Sequence, residues 1–86
     1  MQEKLLKKLL KKADVVEFTW PSVTINLRCV SYLNDKQDRE FEFGYISNTR
    51  PDGNHYDLKR HVYLYRKVRG NLIRIAVIND TGITQL

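Results

Sequence analysis

The chain has 86 residues, with 15 Lys or Arg against 10 Asp or Glu and a formal charge of +5 at pH 7. At 42% hydrophobic and 29% charged, this is the composition of a folded domain, and the length admits one core without a second lobe. The lone cysteine, Cys29, excludes an internal disulfide or a cysteine metal cage, and no run nears the roughly 18 apolar residues that span a bilayer.

The charge is unevenly spread. Lys4, Lys7, Lys8, Lys11 and Lys12 make residues 1–13 basic, while residues 14–57 are net acidic. Lys59, Arg60, Arg66, Lys67, Arg69 and Arg74 against Asp80 make residues 58–86 basic again. Lysines interrupt the N-terminal leucine pairs, so no secretory leader is expected, and the expected setting is the reducing cytoplasm.

Residues 2–13 place Leu5, Leu6, Leu9 and Leu10 at helical spacing with lysines on the other face, which predicts an amphipathic helix. Val15–Trp20 predicts a strand with Val16, Phe18 and Trp20 on one side, and Pro21-Ser22 breaks the chain. Val23–Val30 alternates, with Val23, Ile25, Leu27 and Cys29 inward and Thr24, Asn26 and Arg28 outward. Asn34–Asp38 reads as a polar turn, and Glu40–Ser47 as a strand with Phe41, Phe43 and Tyr45 on the core side and Glu42 in solvent. A long loop over 47–60 contains the turn Arg50-Pro51-Asp52-Gly53. His61–Val68 and Leu72–Asn79 form a hairpin, and a tail over 80–86 adds a short strand or frays.

With Gly70-Asn71 as a two-residue type II′ turn, Lys67 pairs with Arg74, Tyr65 with Ala76 and Leu64 with Val77. One hairpin face then collects Val62, Leu64, Val68, Ile73, Ile75 and Val77, and the other Tyr63, Tyr65, Lys67, Arg69 and Arg74. The expected fold is a single α+β domain, mainly β. Its N-terminal helix precedes about five antiparallel strands over 15–79, in a small curved sheet or an OB- or SH3-like barrel.

Catalytic chemistry finds little footing. His55 and His61 are the only histidines, Cys29 reads as a small buried hydrophobe, and the Asp52–Asp57 stretch lacks the glycine and distal glutamate of a calcium loop. A non-enzyme without cofactor or metal is expected. The strongest signal is aromatic residues interleaved with basic ones, because bases stack on rings while Lys and Arg follow phosphates. Tyr63, Tyr65, Lys67, Arg69 and Arg74 carry it, with Lys7, Lys8 and Lys11 of the helix as a second contact.

Val30-Ser31-Tyr32-Leu33-Asn34-Asp35-Lys36, followed by Phe43-Gly44-Tyr45-Ile46-Ser47, resembles the cold-shock domain pattern. Val62-Tyr63-Leu64-Tyr65 is similar to the second motif of that family, with Asp52-Gly53 between. The resemblance covers residues 30–65 and implies an OB barrel in which Phe43, Tyr45, Tyr63 and Tyr65 stack on bases.

The function expected is therefore non-catalytic binding of single-stranded DNA or RNA. The alternative is a protein-binding modulator or inhibitor, of the compact kind phages encode, docking on an acidic or nucleic-acid-binding host protein. A membrane-surface role for residues 2–13 ranks below both, and a homodimer is compatible with either.

Overall fold

The computed structural model describes residues 3–21, 24–47, 60–79 and 81–86. Helix α1 spans Glu3–Lys12 and buries Leu6, Leu9 and Leu10. Its end is held from outside: the Arg39 side chain donates to the Leu10 and Ala13 carbonyls, each at 3.2 Å. A guanidinium there satisfies carbonyls the helix cannot and suits its negative end.

Strands β1 (Val15–Pro21), β2 (Asn26–Tyr32), β3 (His61–Val68), β4 (Asn71–Asn79) and β5 (Gly82–Gln85) form one sheet in the order β2-β1-β3-β4-β5, and helix α2 spans Lys36–Ser47. Every neighbouring pair is antiparallel. The sheet is curved and unclosed, so of the two architectures expected it is the sheet and not the barrel. Because β2 and β3 both run antiparallel to β1, they are parallel to each other on its two sides. Their connection must cross β1, as parallel neighbours require, and α2 lies in that connection.

Both helices cover the same face of the sheet. Leu6, Leu9, Leu10, Ala13 and Ile46 meet Val16 and Phe18 of β1, Val62 and Leu64 of β3, and Ala76 and Ile78 of β4. Leu33, between β2 and α2, joins this core. The opposite face carries no helix among the described residues.

Three expectations are corrected. The strand predicted over Glu40–Ser47 is helical. Asn34–Asp38 is its start: the Asp38 amide donates to Asp35 Oδ1 at 2.8 Å, and the Asn34 amide to Asp38 Oδ2 at 2.9 Å. These reciprocal bonds satisfy helix-start amides in the manner of a capping box. The alternating aromatics belong to two helix faces: Ile46 and Phe43 pack toward the core, whereas Phe41 and Tyr45, one turn apart, stack outside it.

The hairpin turn is Arg69-Gly70, not Gly70-Asn71. Both residues have positive φ, 51° and 82°, as a type I′ turn demands. Tyr65 therefore faces Arg74, and Lys67 faces Leu72. A slip of two residues preserves the alternation, so Arg74 still lands on the tyrosine side. A bulge at Ile75 then reverses it, setting Leu64 opposite Ala76 and Tyr63 opposite Val77. Ala76 and Ile78 thus face the core, and Val77 the other side. The Ile75 carbonyl accepts from the Leu86 amide at 3.0 Å, which ties the bulge to the end of β5.

On β2, Leu27 and Cys29 do point toward the helix side, opposite Trp20 and Phe18. They are nonetheless exposed, as is Ile25. Cys29 is therefore not a buried hydrophobe. The tail forms β5. The turn predicted at 50–53 and the 52–57 stretch lie outside the described residues.

Candidate nucleic-acid interface

The helix-free face is built by odd-numbered residues of β1 and β3 and their cross-strand neighbours. Register sets Glu17 opposite Tyr63 and Val15 opposite Tyr65 on β3, and Arg28 of β2 opposite Thr19, diagonal to Glu17. Glu17 is buried in mid-strand, where an unpaired carboxylate would be costly. It is not unpaired: the Tyr65 hydroxyl donates to Oε1 at 2.7 Å, and the Arg28 guanidinium pairs with Oε2.

Arg74 extends the chain of contacts, donating from Nη2 to the Tyr65 hydroxyl at 3.0 Å. Its guanidinium lies 4.1 Å from the centroid of Tyr63 and 5.5 Å from that of Tyr65, within cation–π range of both. His61 stacks on Tyr63, with ring centroids 6.4 Å apart and an interplanar angle of 18°. Burial pushes the Tyr65 phenol up, the Glu17 carboxylate adds to this and Arg74 opposes it, so Tyr65 stays a donor. Beside this row, Thr19, Pro21, Asn26, Arg28, His61 and Tyr63 line a shallow groove of about 410 Å³. The arrangement offers flat rings backed by two guanidinium groups, and the one carboxylate they meet among the described residues, Glu17, is already bridged. Rings and guanidinium groups so placed have the chemistry to stack on planar groups and to pair with anionic ones.

The residues singled out from sequence divide among four places. Tyr63, Tyr65 and Arg74 come together here, with Lys67 at the same face's end, where its backbone amide is held by Asp14 Oδ2 at 2.7 Å. Arg69 sits in the turn. Lys7 and Lys11 lie on the other side of the sheet, where with Lys36, Arg39, Glu40 and Phe43 they line a groove of about 350 Å³ between the helices. There Lys7 stands 4.9 Å over the Phe43 ring, and Lys8 is exposed on α1 nearby. Phe43 and Tyr45 are helical, so neither joins Tyr63 and Tyr65 on a strand face.

Comparison with known proteins gives no match: no protein-family model, no curated protein and no solved structure is similar to the chain. The site's chemistry stands on its own residues. Sequence reasoning missed Glu17, Arg28 and His61. A carboxylate on the solvent side of a β-branched strand was the available signal for Glu17, since it asks for a cross-strand cation. Among the described residues no three His, Cys, Asp or Glu side chains could hold a metal ion, and no helix is long and apolar enough to cross a membrane.

Proposed function

We propose that the helix-free sheet face binds single-stranded nucleic acid without catalysing a reaction. The observation that carries this reading is the Arg74 guanidinium stacked on Tyr63 and bonded to Tyr65, on an open face that also presents Arg28. Tyr63 and Tyr65 supply stacking surface for bases. Arg28, Arg74 and Lys67 supply charge for phosphates, a combination that reads no sequence. An exposed single thiol at Cys29 accords with a reducing, cytoplasmic setting.

Fluorescence anisotropy with labelled oligo-dT and oligo-rU across a salt series is the test. Each phosphate neutralised on a single strand contributes about −0.7 to the log–log salt slope, so three cations give about −2. Tyr63→Ala and Arg74→Ala each weaken binding about tenfold, in the range of one stacked base. Absence of binding at low salt, or affinity untouched by both changes, overturns the proposal.

A further inference from the structure

A second feature lies on the helix side of the sheet. Strand β2 is an edge, and nothing among the described residues blunts it: residues 26–32 contain no Pro, no Lys and no bulge, and Arg28 is the one charge. Leu27 and Cys29 on one side and Val30 and Tyr32 on the other are all exposed. Beneath this edge, Phe18, Trp20, Cys29, Ser31, Phe41, Glu42 and Tyr45 line a groove of about 200 Å³ between β2 and α2.

Its walls are aromatic pairs. Phe18 and Trp20 stack at 5.8 Å, Phe41 and Tyr45 at 6.5 Å, and Tyr45 meets Phe18 edge-on at 5.2 Å. Phe41 is 69% exposed although it is aromatic and helical. At the bottom lies Glu42, 6% exposed, whose Oε2 has no hydrogen-bond partner among the described residues. Ser31 hydrogen-bonds the same carboxyl, and Asp38 lies one helical turn away. Arg60, itself buried, lies against two of these rings, its guanidinium 5.0 Å from the Tyr45 centroid and 5.5 Å from that of Phe18. The two carboxylates outnumber this one cation, and Oε2 remains open to another.

An unpaired strand edge, an aromatic groove beside it and a buried carboxylate with a vacant acceptor answer a single kind of occupant. We infer that β2 and α2 form a docking site for an extended, basic segment of a partner protein. The segment adds as a strand beside β2, alternate side chains drop toward α2, and a lysine or arginine passes between Phe41, Tyr45 and Trp20 to reach Glu42. A second copy of this chain fits less well. Antiparallel pairing of two β2 strands sends Arg28 to the opposite face and brings no cation to Glu42. The inference is independent of the nucleic-acid reading, which concerns the other face.

The test uses labelled octapeptides of alternating Val and Thr with Lys, norleucine or Glu at one central position, titrated into the full chain. The Lys peptide binds, the Glu peptide binds at least about tenfold more weakly, and amide shifts in a heteronuclear spectrum concentrate at 26–32 and 41–45. Glu42→Gln, nearly isosteric, removes the preference for Lys over norleucine. Phe41→Ala, at an exposed position that leaves the core intact, weakens all three peptides. Equal binding of the Lys and Glu peptides, no binding of the Lys peptide, or shifts centred on β5 overturns the inference. So does self-association through β2 in sedimentation, or displacement of the Lys peptide by oligo-dT.

Discussion

Two buried glutamates show how one residue type takes opposite roles. Glu17 has both oxygens engaged, by Tyr65 and by Arg28, whose side chain is itself 69% exposed. Tyr65→Phe withdraws a donor from a buried carboxylate and also frees Arg74. We expect a loss of about 1–2 kcal/mol in chemical denaturation. Glu42 is the contrary case. Burial raises its pKa above the ordinary carboxylate value, Asp38 adds to the rise, and Ser31 and Arg60 oppose it. The folded state therefore holds this proton more tightly than the unfolded chain. Its contribution to stability is fully present below the unfolded pKa and is lost as pH rises through the folded one. Glu42→Gln removes that dependence, so its stability relative to the parent chain should grow as pH rises from about 4 toward neutrality. Equal pH profiles for the two proteins contradict the assignment.

At the scale of elements, α2 and the β3–β4 hairpin separate what alternation can and cannot say. Gly44 lies exposed in α2 with nothing within 4 Å of an added Cβ. Gly44→Ala should stabilise the protein by about 0.5–1 kcal/mol in thermal or denaturant unfolding, as for any open helical position. Asp35→Ala, which removes the acceptor for the Asp38 amide, should cost about 1 kcal/mol. Helix α1 was legible because Leu6, Leu9 and Leu10 mark one stripe, and β1 and β3 because Val16, Phe18, Val62 and Leu64 alternate with polar or half-polar neighbours. In α2 the apolar residues serve two faces, so Phe41, Phe43 and Tyr45 imitate a strand's period of two. The Asp35-x-x-Asp38 start and the good helix formers after it were the contrary signal. The turn escaped because Arg69, not Gly or Asn, takes the first left-handed position.

For the molecule as a whole, the decisive fact is that the lysines of α1 and the Lys67 and Arg74 cations do not share a surface, while Arg60 of the second basic block packs on the helix side. The α1 lysines cover the helix side, and Arg74 belongs to the helix-free side. Net charge thus overstates either face. If the tyrosine face alone takes up a strand, Arg74→Ala lowers the salt slope by about 0.7, while Lys7→Ala combined with Lys11→Ala leaves it unchanged. Anisotropy on the two variants reads the difference directly. Half of the candidate site was visible in advance, since Tyr63, Tyr65 and Arg74 follow from strand parity. The β2–α2 groove was not, because its members come from β1, β2 and a helix that alternation conceals.

The bulge at Ile75 divides the hairpin into two stretches that keep separate time. Up to Arg74 the even-numbered residues of β4 face the tyrosine side, and from Ala76 onward the even-numbered ones face the core. An unpaired residue already stands between these registers, anchored by Leu86. Changes in the length or charge of the tip can therefore be absorbed there without shifting Ala76 or Ile78. The tip of the hairpin can change while the stretch that packs into the core stays as it is.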